Sequence, residues 1–218
     1  MRYALIFLLS LFVTGLSAQS MEFGIGLSLG HSNLMPGQLS PTTDFSSITP
    51  EGGPGFGLSV YSALPITGRL FLSLNPSLQF QDQNVIFSPI DDRPDEVEEV
   101  QPVSISVPLR AELRTFTGSL RPVVGLGIGA NFDLSETEDP NLEDENVTLF
   151  WEVTAGAEID INVPKKEHSF VFRPEIFTRR SLGRVVSITG ESIYNQALGN
   201  TNWSYVGLRL LFYGSGNK

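Results

Sequence analysis

The chain is written in a two-residue period. Between Val103 and Arg114, Val103, Ile105, Val107, Leu109, Ala111 and Leu113 share one face, while Ser104, Ser106, Pro108, Arg110, Glu112 and Arg114 share the other. Strict alternation over a dozen residues is the signature of a strand. A second run repeats it, with Leu120, Pro122, Val124, Leu126, Ile128, Ala130 and Phe132 opposite Arg121, Val123, Gly125, Gly127, Gly129 and Asn131. The polar turn Thr115-Phe116-Thr117-Gly118-Ser119 joins the two runs into a long hairpin.

Six further segments carry the same period: Met21 to Gly30, Gly55 to Ala63, Arg69 to Gln81, Val147 to Ile161, Ser169 to Arg179 and Trp203 to Tyr213. Their connections alternate in length. Leu64 to Gly68, Thr115 to Ser119 and Asn162 to His168 are short, whereas His31 to Pro54, Asp82 to Pro102, Asp133 to Asn146 and Arg180 to Asn202 are long. An even number of strands, with short turns at one end and long loops at the other, predicts an all-β, eight-stranded antiparallel up-and-down transmembrane barrel. The long loops are expected outside the cell and the short turns in the periplasm.

A soluble lipocalin-like binder also alternates, but with its apolar face inward. The aromatics separate the two folds. On the apolar face Phe23, Phe170, Phe172 and Phe212 lie toward the short turns and Phe56, Phe80, Phe132 and Trp151 toward the long loops, with aliphatic residues between. Two aromatic belts around an aliphatic band match the two interfaces of a bilayer. The opposite face then forms the lumen and receives Glu22, Arg69, Arg110, Glu112, Arg114, Arg121, Glu152, Glu158, Asp160, Arg173, Glu175 and Arg209, six bases and six acids. Eight strands enclose only enough room for side chains, so these charges are expected to pair across the interior. Glu22, Arg69, Glu112, Arg114, Arg121, Glu158, Asp160 and Arg209 fall toward the short turns and predict a plug there. The other half, lined by Ser28, Gly30, Ser59, Gln79, Ser104, Ser106, Gly129 and Asn131, reads as a wet vestibule. Pro76, Pro108, Pro122 and Pro174 sit within strands, where each removes a ladder hydrogen bond and implies a bulge or a pairing defect.

Composition narrows the setting. Residues 1–18 read as a cleaved export signal: Arg2, an apolar run from Ala4 to Val13, then Gly15-Leu16-Ser17-Ala18. Residues 19–218 form one barrel domain. The chain has no cysteine, which removes disulfides, thiolate catalysis and Cys-ligated zinc. A formal charge of −10 makes nucleic acid an unsuitable partner.

Candidate chemistry is sparse. Two acidic clusters, Asp91, Asp92, Asp95, Glu96, Glu98, Glu99 and Glu136, Glu138, Asp139, Glu143, Asp144, Glu145, match no calcium-loop spacing and read as solvated loops. His31 beside Ser32 at the start of the first long loop is the one place where a lipid-acting triad could begin, since His168 lies in a short turn on the opposite side. Lys165 and Lys166 occupy that same turn. No catalytic, metal or cofactor site is expected.

The stretch Val107-Pro108-Leu109-Arg110, followed by Arg121-Pro122-Val123-Val124-Gly125-Leu126-Gly127-Ile128-Gly129, resembles the PorT-like outer-membrane β-barrel family of the Bacteroidota. Phe23-Gly24-Ile25-Gly26-Leu27 and Val206-Gly207-Leu208-Arg209-Leu210-Leu211-Phe212 are similar to its first and last strands. The resemblance implies an eight-stranded outer-membrane barrel, and association with the type IX secretion and gliding apparatus to which the founding member belongs. The expected function is a non-enzymatic structural or interaction protein of the bacterial outer membrane. Its partners would be membrane lipid and other outer-membrane or periplasmic proteins. A narrow, porin-like solute channel and a lipid-acting enzyme are the alternatives.

Overall fold

The computed structural model describes residues 21–36, 44–91, 93–115, 120–134, 146–162, 169–185 and 201–214. Residues 1–18, expected to be an export signal, Asp92, the turn 116–119, the acids of residues 136–145, and Lys165, Lys166 and His168 lie outside them. The alternating segments form strands β1 (Glu22–Pro36), β3 (Pro54–Pro65), β4 (Leu70–Leu74), β5 (Ser77–Gln81), β8 (Val103–Arg114), β9 (Leu120–Asp133), β10 (Val147–Asn162), β11 (Ser169–Ser181) and β12 (Thr201–Gly214). Three shorter strands, β2 (Phe45–Glu51), β6 (Asn84–Pro89) and β7 (Glu96–Glu99), make a separate antiparallel sheet from the first two long loops.

β4 and β5 are two halves of one stave. Leu74 pairs with Leu109 and Ser77 with Ser106, so the register is the same on both sides of Asn75-Pro76. Pairing of β1 with both β3 and β12 closes the ring into an eight-stave antiparallel barrel. Paired residues followed around the wall from Glu22 run Ala63, Ser73, Arg110, Gly127, Glu152, Arg179, Tyr205 and back to β1 at Ser32, ten residues above the start. With ~3.3 Å per residue and ~4.7 Å between strands, that shear sets a tilt of about 40° and a backbone radius of about 8 Å. Side chains from opposite walls therefore meet.

The two faces are sorted as the period demands. Phe23, Ile25, Leu27, Leu29, Leu126, Ile128, Ile176 and Leu208 are exposed on the outer wall, while Arg110, Glu112, Glu152, Arg173 and Arg209 are almost fully buried. All eight belt aromatics occupy outward positions. Phe23 and Phe170 both stand opposite Gly214, and the rings of Phe172 and Phe212 are 4.8 Å apart, at the short-turn end. Phe56 and Phe80 stack at 4.7 Å toward the long-loop end. At this tilt the two belts stand about 20 Å apart along the barrel axis.

Strand ends and prolines depart from the sequence pattern. β1 continues past Gly30 to Pro36, because it stays paired with β12 as far as Pro36 opposite Thr201. Pro76 interrupts the ladder without adding a residue: its carbonyl still accepts from Val60 N at 3.0 Å, and Asn75 N donates to Pro108 O at 3.3 Å. The β10–β11 ladder skips Ala157 and Glu158 beside Pro174 and resumes in unchanged register. At these two prolines the outcome is a pairing gap and not a bulge, since losing one N–H donor does not require an extra residue.

Inward glycines are placed opposite the largest inward side chains. Gly127 pairs with Arg110, Gly125 with Glu112, Gly129 with Phe150, Gly156 with Glu175 and Gly207 with Phe177. A Cβ at Gly127 would stand 2.6 Å from both Arg110 Cγ and Leu109 O. Gly127→Val is expected to destabilise the barrel by about 1–3 kcal/mol through overpacking. Gly68, with open space around it, should tolerate alanine. Urea unfolding in micelles, followed by loss of the compact form on unheated gels, measures both.

Candidate functional site

Alternation along six strands aims twelve charges into a tube too narrow to hydrate them separately, and they pair in tiers. At the short-turn end Arg114 reaches Glu22 (Nη1 to Oε2, 2.7 Å), Glu112 (3.1 Å) and Glu158 (3.2 Å). Arg121 bridges Glu158 at 3.1 Å and Asp160 at 2.5 Å. Tyr213 OH donates to Glu158 at 2.5 Å, and the Arg114 guanidinium lies 3.7 Å from the centre of the Phe71 ring.

Above this tier, Glu112 is the most heavily coordinated acid. It accepts from Arg173 Nη1 at 2.8 Å and Nη2 at 3.1 Å, from Ser73 Oγ at 2.5 Å and from Tyr61 OH at 3.0 Å. Arg110 then ties it to the mid-height acids, lying 3.1 Å from Glu112, 2.9 Å from Glu175 and 3.2 Å from Glu152. Arg209 joins the same two, at 2.5 Å from Glu175 and 3.0 Å from Glu152. Arg179 caps the column by pairing with Glu152 and lying 5.0 Å from the Phe177 ring centre. Asn75 reaches this tier from the interrupted stave, its carbonyl oxygen 3.3 Å from Arg209 Nε and its amide nitrogen donating to Val60 O.

Eleven of the twelve lumen positions expected from sequence belong to this network. Arg69 does not. It has the inward parity but precedes β4, stands exposed at the open rim where water solvates it, and has no ion-pair partner among the described residues. Arg179 takes its place, so the network still holds six guanidiniums and six carboxylates. The signal for Arg179 was its even spacing from Arg173 and Glu175, hidden because the residue stands where the strand seemed to end. Arg209 belongs at mid-height with Glu152 and Glu175, not in the short-turn half.

The upper half is not an open vestibule. Ser28, Gln79, Ser104, Ser106 and Asn131 are buried there, and Phe150, Phe177, Tyr205 and Trp203 fill the space between them. These aromatics form one cluster with Leu34, Phe45 and Ile48 of β1 and β2, and with Val85 and Phe87 of β6. The β2–β6–β7 sheet thus roofs the lumen, fed by Gln101, whose φ of 47° turns the chain from β7 into β8. Sequence reasoning missed this roof because the inward aromatics are isolated among small residues, and because the roof strands lie in stretches read as loop.

The two weaker candidate sites come apart. His31 points outward from β1 and is exposed, whereas Ser32 points inward, buried, and donates to Gly53 O at 3.2 Å. Successive strand residues face opposite sides, so the two cannot act together. In the second long loop Arg93 Nε donates to Asp91 at 2.8 Å, holding that carboxyl below its ordinary range, and Nη1 lies 3.9 Å from Glu96.

Removing one partner from the buried tiers leaves uncompensated charge. Glu152→Ala strands Arg110, Arg179 and Arg209 and is expected to cost about 3–5 kcal/mol, against about 0–1 kcal/mol for Asp160→Ala at the hydrated rim. Urea midpoints of the two variants in the same micelle give the comparison.

No protein-family model matches this chain, and no curated protein matches it in sequence. Among solved structures it is similar to the outer membrane protein OprG from Pseudomonas aeruginosa. The TM-score is 0.49 and the identity 12%, over 90% of this chain and 94% of that one.

Proposed function

We propose that this chain is an integral barrel of the bacterial outer membrane with a closed lumen, serving as a non-enzymatic structural or interaction protein. The observation that carries the reading is the sorting of the wall. A continuous outward band of Leu, Ile, Val and Phe, bounded by aromatic belts about 20 Å apart, has the geometry of a hydrocarbon slab. In water such a band would be an exposed apolar surface far larger than soluble monomers carry.

The lumen supports the non-conducting half of the proposal. Twelve paired charges fill its lower and middle sections, and an aromatic roof covers the top. A solute would have to break several buried ion pairs to pass, which disfavours the narrow-channel alternative. The acidic loop surface beside the roof, including Asp95, Glu96, Glu98 and Glu99, is where a partner protein would meet the barrel. Association with a secretion apparatus rests on the family resemblance alone. Export through a cleaved signal belongs to the same reading.

Carbonate washing of membranes from producing cells should leave the protein in the pellet, whereas release into the supernatant contradicts insertion. In planar bilayers the purified protein is expected to give no steady ohmic conductance. Regular ion-channel steps would replace the closed-lumen reading with that of a channel.

A further inference from the structure

Above the upper aromatic belt the outer wall carries a feature that structural support does not require. β11 pairs with β10 through Trp151 opposite Arg180 and Phe150 opposite Ser181, and Leu182 N extends the ladder by donating to Leu149 O at 2.7 Å. Arg180, Leu182 and Arg184 are all exposed there, two residues apart along the chain. A groove of about 420 Å³ opens beside them, lined by Val147, Leu149, Leu182 and Arg184 among others. Its floor continues the apolar band, Arg184 stands on its rim, and Arg180 lies outside its lining, on β11 opposite Trp151.

The charge is conspicuous against its surroundings. The chain is strongly acidic, and in the described part of the second long loop the single base, Arg93, is already engaged by Asp91 and Glu96. Arg180 and Arg184 have no ion-pair partner among the described residues. Arg180 stands beside Trp151 of the upper aromatic belt, and Arg184 follows four residues later, past the bend at Leu182 and Gly183, so two separate cations face the headgroup region. A single-phosphate phospholipid uses only one such site. A disaccharide lipid phosphorylated at both ends spans two, with its acyl chains lying along Val147, Leu149 and Leu182.

We infer that this groove binds the doubly phosphorylated glycolipid of the outer leaflet, with Arg180 and Arg184 each holding one phosphate. The inference rests on the membrane reading, with the long-loop end facing the cell surface. It gives the barrel a fixed lipid contact on the β10–β11 side, next to the roof.

The full chain is reconstituted into nanodiscs of phosphatidylethanolamine doped with bisphosphoryl lipid A, monophosphoryl lipid A or phosphatidylglycerol, and lipid retained through detergent exchange is counted by mass spectrometry. Bisphosphoryl lipid A should be retained about tenfold over phosphatidylglycerol, with the monophosphoryl form between, because each charge-assisted pair adds affinity. The Arg180→Gln/Arg184→Gln variant should lose that preference, and Arg93→Gln should keep it. Equal retention of all three lipids, or an unchanged preference in the double variant, overturns the site while leaving the membrane reading intact. Failure of the wild-type chain to enter nanodiscs overturns both. Both arginines lie outside the buried network, so compact migration of the double variant on unheated gels is expected and confirms that it is folded.

Discussion

Everything in this barrel depends on the pairing of six guanidiniums with six carboxylates inside a tube of about 8 Å backbone radius. The shear of ten residues over eight staves fixes the radius, and the radius decides that inward side chains touch one another. Each buried ion costs several kcal/mol to desolvate, and only close multidentate pairing offsets that. Glu112 and Glu152 illustrate the solution, each accepting from arginines on more than one strand. Cross-strand glycines make it sterically feasible, since Gly127 leaves the volume in which the stem of Arg110 lies.

The polar interior is also visible in the strand sequences themselves. Alternation keeps the strands at about half apolar content, so none of them reaches the ~20 consecutive apolar residues that would read as a membrane helix. The network joins charges from six strands that lie far apart in sequence. β8 and β11 contribute three arginines and two acids to the central tiers.

Much of this was legible in the sequence, for a physical reason. A strand's period is exactly enforced by geometry, so Ile105, Leu109, Leu126 and Leu208 could be assigned to the outer wall, and Arg110, Glu152 and Arg209 to the lumen, without coordinates. Ends of strands carry no such constraint. Arg69 and Arg179 were therefore exchanged, one lying just outside a strand and the other just inside. The roof was illegible for a different cause: β2, β6 and β7 are held by Phe45, Ile48, Val85 and Phe87 packing onto Trp203 and Tyr205, contacts remote in sequence. The height of Arg209 likewise emerged only from the register around the whole wall, which no single segment reveals.

The central claim is that odd-numbered positions of β8 face lipid and even-numbered ones face a packed lumen. The absence of cysteine makes a single-cysteine nitroxide scan of residues 104–109 direct. In proteoliposomes, labels at Ile105, Val107 and Leu109 should be relaxed by oxygen dissolved in the bilayer and not by an aqueous nickel chelate, while labels at Ser104 and Ser106 are shielded from both. Nickel access at the odd positions, or loss of the two-residue period, would contradict the account.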